Sequence, residues 1–453
     1  MFDETDVFRR GVALLEKNDH DQAIAAFDEA IRLNPKYVEA YYSRGNAYEA
    51  KGQHDVAIEN YNAVLEFSPN EAVAYYNRGL AHWKMGEPAR AIDDYGSAVR
   101  LKPDYAGAYY NRGFVRYKEN QLEEAMHDFD EAIRHDPGDA DAYVARGLVH
   151  AALDDCDAAI ADFDEAIRIE PQHAKAHGNR GNAFEKKGNR ETALAEYGKV
   201  IEIKPKDAKA FSNRAIVYFN MGKFDKAIAN YTQTIQLNPR NAKAYCSRGI
   251  AYSRNGETDK AIADYTEAIR LEPKAAEAYV CRGTARSAQG DREGAVADHS
   301  EAIRLAPNDP KAYYKRGLIL GGMGHHDLAI ADYSRVIEID PNDAYAYGYR
   351  GVVYTKKGQI DAAMDDFNRA IKLLPRYAKA YGNRALVHMI QGDIEQAIFD
   401  FSEAIRLDPN NPRIYQNRAM AYEKIGRKGK AKEDLARAEE LMAGAKQGPA
   451  PNP

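Results

Sequence analysis

Histidines, cysteines and paired carboxylates are the side chains in this sequence best suited to chemistry. The sequence has three cysteines, Cys156, Cys246 and Cys281, and no two of them form a C-x-x-C motif. We therefore expect neither a disulfide framework nor a structural zinc site. His325 and His326 are adjacent, but no cysteine or carboxylate lies at the spacing of a convincing metal site. No phosphate-binding loop, nucleophile elbow or dinucleotide fingerprint is present. We therefore expect a non-enzymatic protein that needs no metal and no cofactor.

Overall charge and hydropathy exclude further classes of function. The formal net charge of −6 over 453 residues argues against nucleic-acid binding, which needs a concentrated positive field. The acidic N-terminal residues do not resemble a signal peptide, and no apolar run approaches the roughly 18 residues of a membrane span. Few and scattered cysteines suit a reducing compartment. We expect a cytoplasmic protein without membrane insertion.

The sequence repeats itself every 34 residues. Alanine recurs thirteen times at this interval from Ala23 to Ala431, proline twelve times from Pro35 to Pro409, and an arginine before Gly or Ala thirteen times. The residues after the last repeat, 446–453, read as a disordered tail. The thirteen predicted units are 4–37, 38–71, 72–105, 106–139, 140–173, 174–207, 208–241, 242–275, 276–309, 310–343, 344–377, 378–411 and 412–445.

Each unit, with its positions numbered 1 to 34, predicts two amphipathic helices, A and B. Apolar residues fall at i, i+3, i+4 and i+7 in two segments. Position 15, between the segments, is Gly in ten units and Asn18, Asn120 or Asp154 in the others. These residue types tolerate the left-handed conformation that ends a helix. The proline at position 32 ends helix B, because it cannot donate to the helical ladder.

Small and large residues recur at complementary places. Gly or Ala at position 8 and Ala at position 20 permit close approach of the two helices, and aromatic rings at positions 4 and 24 fill the remaining space. This pattern resembles the tetratricopeptide repeat over almost the whole chain. In unit two it is carried by Tyr41, Gly45, Tyr48, Ala57, Tyr61 and Pro69.

The resemblance implies an all-α fold, an α-solenoid wound into a right-handed superhelix of thirteen helix–turn–helix repeats. Helices A would line a concave groove that binds extended peptides or partner proteins. One unit cannot bury its own faces, so neighbouring units must share a continuous core.

Position 7 departs from the family pattern, because it is Arg in every unit where the family usually has Leu. Position 23 on helix B is acidic in ten units, and a partly buried Arg needs such a partner. We predict a structural ladder of Arg–carboxylate pairs, within units or between neighbours. The alternative is a basic groove formed by thirteen arginines.

Three rows on helix A are candidates for the binding groove. Side-chain amides both donate and accept hydrogen bonds, and exposed aromatic rings offer apolar contact area. Basic residues at position 2 would favour acidic partners toward the C-terminal two-thirds of the chain. The candidates are the amides Asn77, Asn111, Asn179, Asn182, Asn213, Asn383 and Asn417, the rings Tyr42, Tyr76, Trp83 and Tyr110, and the cations Lys175, Lys209 and Lys243.

Each row also has an explanation that involves no ligand. The amides and lysines fit a solvated polar surface, and the rings fit packing between neighbouring A helices. Cys246 and Cys281 lie at positions 5 and 6 of consecutive units, where they form either a redox pair or two small groove residues. Unit nine, with His299 at the aromatic position 24, and unit ten, with Gly321 and Gly322 in helix A, predict the weakest part of the array.

These observations favour an interaction scaffold for proteins or peptides, with no chemistry of its own. Two alternatives remain: a structural or self-assembling solenoid, and a non-catalytic repeat arm that serves an enzyme on another chain. Fold alone does not decide among them.

Overall fold

The computed structural model describes the backbone of residues 3–446 and the side chains of residues 3–443. The predicted disordered tail, 446–453, lies outside these residues except for residue 446 itself. The chain divides into two compact bodies, residues 1–222 and 223–453, which are described separately. The division falls inside unit seven, between its two helices.

The first body contains thirteen helices within its described residues, in which odd numbers are A helices and even numbers are B helices. Each A helix begins at the first residue of a sequence unit. The helices are α1 Glu4–Glu16, α2 His20–Leu33, α3 Val38–Ala50, α4 His54–Phe67, α5 Ala72–Lys84, α6 Pro88–Leu101, α7 Ala106–Lys118, α8 Leu122–His135, α9 Ala140–Ala152, α10 Cys156–Ile169, α11 Ala174–Lys186, α12 Arg190–Ile203 and α13 Ala208–Asn220.

The second body continues the same alternation. Within each body every helix packs against the helix that precedes it and the helix that follows it. The helices are α14 Phe224–Leu237, α15 Ala242–Arg254, α16 Thr258–Leu271, α17 Ala276–Gln289, α18 Arg292–Leu305, α19 Pro310–Gly322, α20 His326–Ile339, α21 Ala344–Lys357, α22 Ile360–Leu373, α23 Ala378–Gln391, α24 Ile394–Leu407, α25 Pro412–Lys424 and α26 Lys428–Lys446. The predicted fold class, an all-α solenoid of paired helices, is confirmed.

The turn between helices A and B has a left-handed residue at position 15 in every unit. All ten glycines at this position have positive φ, from 72° at Gly222 to 92° at Gly290. Asn18, Asn120 and Asp154 adopt φ of 59°, 60° and 67°. The predicted left-handed ends of the A helices are therefore confirmed, including the three that lack glycine.

Helix pairs pack closely because position 8 carries almost no side chain. A methyl group added to Gly45 would lie 2.8 Å from the Tyr61 ring, and one added to Gly147 would lie 2.6 Å from Phe163. These rings at position 24 are fully buried against the alanines at position 20. Real side chains do not approach so closely, so an alanine at either position would require the ring to shift.

The arginines at position 7 form the predicted ladder. In unit four, Arg112 donates from Nε and Nη2 to the fully buried carboxylate of Asp128 at 3.0 and 2.6 Å. The corresponding pair is present in every unit whose position 23 is acidic. Its arginines are Arg78, Arg112, Arg146, Arg180, Arg248, Arg282, Arg316, Arg350, Arg384 and Arg418.

Many of these arginines also reach the preceding unit. The Nη1 atom of Arg146 donates to Asp130 at 2.8 Å, and that of Arg316 donates to Ser300 Oγ at 2.9 Å. Both acceptors lie at position 25 of helix B. One guanidinium therefore joins two consecutive units. For the ten arginines that pair with a carboxylate, the alternative of a freely exposed basic groove is wrong.

Unit nine has an imperfect core. His299 replaces the aromatic ring of position 24 and is fully buried, and neither ring nitrogen has a hydrogen-bond partner among the described residues. Burial lowers the pKa of His299 to about 4, because charging the ring would require solvation that the core does not provide. His299 is therefore neutral at physiological pH.

Candidate binding surface

The A helices of each body form a continuous surface. Successive A helices touch one another, as α3 touches α5 and α21 touches α23, whereas the B helices make no contact of similar extent within the described residues. Positions 2, 5, 6 and 9 of neighbouring units consequently lie side by side. This surface contains all the residues that the sequence singles out for binding.

The tyrosines at position 5 fold inward in the first body. The Tyr76 ring lies 5.8 Å from the Tyr95 ring and 5.0 Å from the Tyr105 ring, between its own helix B and the start of the next unit. Tyr42 contacts Tyr61 in the same way. Burial raises the pKa of Tyr76, although a hydrogen bond from Asn111 partly opposes the shift. These rings act mainly as packing elements, as the explanation without a ligand proposes.

Tyr110 and Trp83 are also half-buried. The Tyr110 ring lies 5.9 Å from Phe129, and burial raises its pKa to about 12. Trp83 meets Phe114 edge to face at 6.2 Å on the neighbouring A helix. Neither ring is a free apolar anchor, because each already packs against a ring of this chain.

The first two asparagines of the amide row bind the hydroxyls of these tyrosines. Asn77 donates from Nδ2 to Tyr42 Oη at 2.8 Å and to Asn46 Oδ1 at 3.1 Å. Asn111 donates to Tyr76 Oη at 2.8 Å. Both amide hydrogens of Asn77 and one of Asn111 are thus engaged within the chain, so Oδ1 is the group that Asn77 can present to a partner.

A cavity of about 290 Å³, here called the unit-six pocket, opens between α11 and α13. It brings together five of the predicted site residues. Its floor is formed by Gly178, Tyr197 and Val200. The predicted residues that line it are Lys175, Asn179, Asn182, Lys209 and Asn213, and the other lining residues are Ala174, Lys204, Asp207 and Ala210.

A second cavity of about 560 Å³, the unit-twelve pocket, lies beside α23 and α25 in the second body. The predicted residues Asn383 and Asn417 line it, and three cations, Lys356, Lys379 and Arg413, stand around it. Its apolar lining includes Phe367, Leu386, Phe401 and Ile414. The described residues that line this pocket include no carboxylate.

Lys243 is exposed at the start of α15 and lines neither pocket. Lys175 and Lys209 belong to the first body and Lys243 to the second.

Sequence reasoning missed the two glycines that open the pockets. Gly178 and Gly382 occupy position 5, where units two to four carry tyrosine. A methyl group added to Gly178 would meet only Val200 at 3.6 Å, and one added to Gly382 would meet only Ala404 at 3.9 Å. The signal that could have revealed the pockets is the difference at position 5 between units, which carries glycine in some units and tyrosine in others.

Cys246 and Cys281 are free, partly buried thiols. Burial raises the pKa of Cys246 to about 12 and that of Cys281 to about 11. Since the thiolate is the nucleophile, these values favour small groove residues over a redox pair. The described residues contain no cluster of three or more potential metal ligands, and none of their helices is long and apolar enough to cross a membrane.

Paired helices, a shared core and a surface of A helices define a protein–protein interaction scaffold of the α-solenoid class. Models of the tetratricopeptide repeat match residues 8–72, 76–140, 113–172, 242–275, 310–343, 344–377, 378–411 and 401–433. A further model, described as TPR repeat, matches residues 186–222, 217–256 and 283–324. The chain belongs to the tetratricopeptide repeat family. The search of curated proteins found no match to this chain.

Several solved structures resemble the chain. The APC/C hetero-tetramer Cut9–Hcn1 is 15% identical, with 92% of this chain and 96% of that chain covered and a TM-score of 0.43. Yeast Tom70 is 18% identical, with 98% of this chain and 96% of Tom70 covered and a TM-score of 0.40. MamA is 32% identical over 36% of this chain and 96% of its own, with a TM-score of 0.35. TM-scores at this level do not identify a partner for this chain.

Proposed function

We propose that this protein is a non-catalytic, cytoplasmic scaffold that binds extended peptide segments of partner proteins on its A-helix surface. The observation that carries the proposal is the lining of the two pockets. Each pocket combines an apolar floor with side-chain amides and cations from consecutive units. A concave site with an apolar body and a few polar groups is the usual form of a binding site.

The amides suit an extended backbone in particular. Asn179, Asn383 and Asn417 make no side-chain hydrogen bond within the described residues, although each is partly shielded from solvent. An amide that donates and accepts can pair with a peptide group without reading its side chain.

The cations favour an acidic partner. Lys175 is 70% exposed and lies 3.7 Å from Asp141, a contact that solvent screens. No carboxylate pairs with Lys209 or Lys379 in the part of the chain that the structure describes. Such charges increase the rate and selectivity of association with acidic segments more than the final affinity. The proposal of a cytoplasmic location is supported by the three unpaired cysteines.

The test is affinity capture from a cell extract followed by mass spectrometry, with two matched variants. One variant changes Asn179, Asn213, Asn383 and Asn417 to Ala, and the control changes Gln233 and Gln236, which are exposed on helix B, to Ala. We expect the groove variant to lose partners that the control retains, with equal helicity by circular dichroism. Identical partner sets for both variants would contradict groove binding. Concentration-dependent polymers in light scattering would instead favour self-assembly.

A further inference from the structure

In unit two, the tyrosine at position 5 is held by a network of hydrogen bonds. Tyr61 donates its hydroxyl to Asn46 Oδ1 at 2.8 Å, and Asn77 of the next unit donates to the same oxygen at 3.1 Å. The second hydrogen of the Asn77 amide goes to Tyr42 Oη at 2.8 Å. Tyr42 therefore lies against the Tyr61 ring and accepts a hydrogen bond from Asn77, whose amide also binds Asn46.

Unit six repeats this network with one member missing. Tyr197 donates to Asn182 Oδ1 at 2.8 Å, and Asn213 donates to the same oxygen at 3.1 Å, the same distances as in unit two. The place of Tyr42 is taken by Gly178. The second amide hydrogen of Asn213 has no partner among the described residues, and Asn213 lines the unit-six pocket that the absent ring leaves open.

The lining of the pocket matches the surroundings of the tyrosines that fill this place elsewhere. Tyr76 lies against positions 24 and 34 of its unit and receives its hydrogen bond from position 6 of the next. In unit six the same positions are Tyr197, Asp207 and Asn213, and all three line the pocket. Unit eleven shows the opposite solution, because Tyr377 fills the space beside Gly348.

We propose that the unit-six pocket binds a tyrosine side chain of an acidic peptide segment, whose hydroxyl accepts a hydrogen bond from Asn213. This inference rests on the proposed function and specifies what the surface selects. The partner ring replaces the chain's own ring, stacking beside Tyr197 above Val200. The cavity, about 290 Å³, is close to the lower limit of roughly 300 Å³ for ligand pockets, which suits one side chain.

The charges around the pocket select the flanking residues of that segment. Lys175, Lys204 and Lys209 line it, and the only carboxylate in its lining is Asp207. Asp207 is the N-cap of α13 and already accepts a hydrogen bond from Ala210 N at 3.0 Å. Acidic residues beside the tyrosine therefore meet an excess of cations. The unit-twelve pocket offers Gly382, Asn417 and cations in the same arrangement, without the second amide.

The test uses a fluorescently labelled, end-blocked synthetic peptide of Gly, Ser and Glu with one central Tyr, Phe or Ala. Binding is measured by anisotropy to the full chain in a G382Y background, in which the added ring fills the unit-twelve pocket. We expect the Tyr peptide to bind about 2- to 10-fold tighter than the Phe peptide, the value of one net hydrogen bond. N213A should remove this difference, whereas Q233A should preserve it.

The variant G178Y supplies the missing ring from the chain itself, as units two to four do. We expect it to reduce Tyr-peptide binding to the level of the Ala peptide, while G429Y, which adds a tyrosine at an exposed place on α26, has no effect. Equal binding of the Tyr and Ala peptides, or unchanged binding to G178Y, would overturn the pocket assignment. If partner capture from the cell extract still depends on the groove asparagines, the proposed scaffold function is retained. If it does not, both the scaffold function and the tyrosine pocket are contradicted.

Discussion

Removal of the Asp128 carboxylate is the most direct test of the arginine ladder. Asp128 is fully buried and accepts from Arg112 Nε and Nη2 and from Arg116 Nη1, the last at 2.8 Å. The two arginine side chains are only 13% and 20% exposed. D128A would leave both guanidiniums without their carboxylate in a site that water barely reaches. Breaking a buried ion pair in this way costs about 3–5 kcal/mol.

The milder change D128N has a natural precedent that also supplies its rescue. Asn60 occupies the same position in unit two, where its Oδ1 accepts from Arg44 Nε at 2.7 Å. There a carboxylate of the preceding unit, Asp28, also pairs with Arg44. The equivalent residue for Arg112 is Gly96, whose added methyl group would lie 3.6 Å from Arg112 Nη1.

We therefore expect D128N to cost about 1–2 kcal/mol, since a neutral acceptor is roughly half as strong as a charged one. Addition of G96D should recover about 1 kcal/mol by restoring the arrangement of unit two. The non-additive term of this double-mutant cycle measures the coupling between the two units.

The assay is hydrogen exchange of the amides in α7 and α8, because repeat arrays open locally and a single unfolding free energy is poorly defined. D128A should accelerate exchange there and leave the second body unchanged. The reasoning would be refuted if D128A lowers the free energy of amide protection by less than about 1 kcal/mol. It would also be refuted if G96D does not change this protection in the D128N background.

Three further predictions concern local stability. H299F should stabilise unit nine by about 1–3 kcal/mol in thermal and hydrogen-exchange measurements, because it removes two unsatisfied buried nitrogens. The pKa of His299 falls from 6.5 to about 4 on folding, so between these pH values the unfolded chain binds a proton that the folded chain does not. The free energy of unfolding should therefore drop by up to about 3 kcal/mol as pH falls from 6.5 to 4. H299F should abolish that drop. G52A should cost about 1 kcal/mol at its φ of 74°, whereas N120G should be neutral or stabilising by thermal melting. Amides of residues 276–330 should exchange faster than those of units two to four, and equal protection would contradict a weak centre around units nine and ten.

Local rules of backbone conformation made most of the fold predictable from the sequence. Gly52, Asn120 and Asp154 differ chemically, yet each tolerates positive φ, so their shared column indicated a helix end before any coordinates were known. The pairing of Arg112 with Asp128 was predictable for a different reason. A buried charge must find an opposite charge, and the repeat offered one column that could supply it.

The binding surface was harder to predict because the same residue types serve both packing and recognition. The spacing of Tyr76 and Asn111 is compatible with an exposed strip, but only side-chain coordinates show that the two bind each other. The unit-six pocket depends on the absence of a ring at Gly178, and an absent side chain leaves no hydrophobic or charge pattern. The pocket can be recognised only when the residue at position 5 of one unit is compared with the same position in a unit whose side-chain packing is known.

The guanidinium that reaches into two units has a consequence for how such a chain can change its length. Arg146 finds one acceptor, Asp162, in its own 34-residue block and another, Asp130, in the block before it. Loss or duplication of a whole block places each arginine opposite position 25 of another block, which carries a hydroxyl, amide or carboxylate in most units, whereas an offset by any other number of residues does not. The array can therefore gain or lose whole repeats while most of the arginine contacts between neighbouring units are kept.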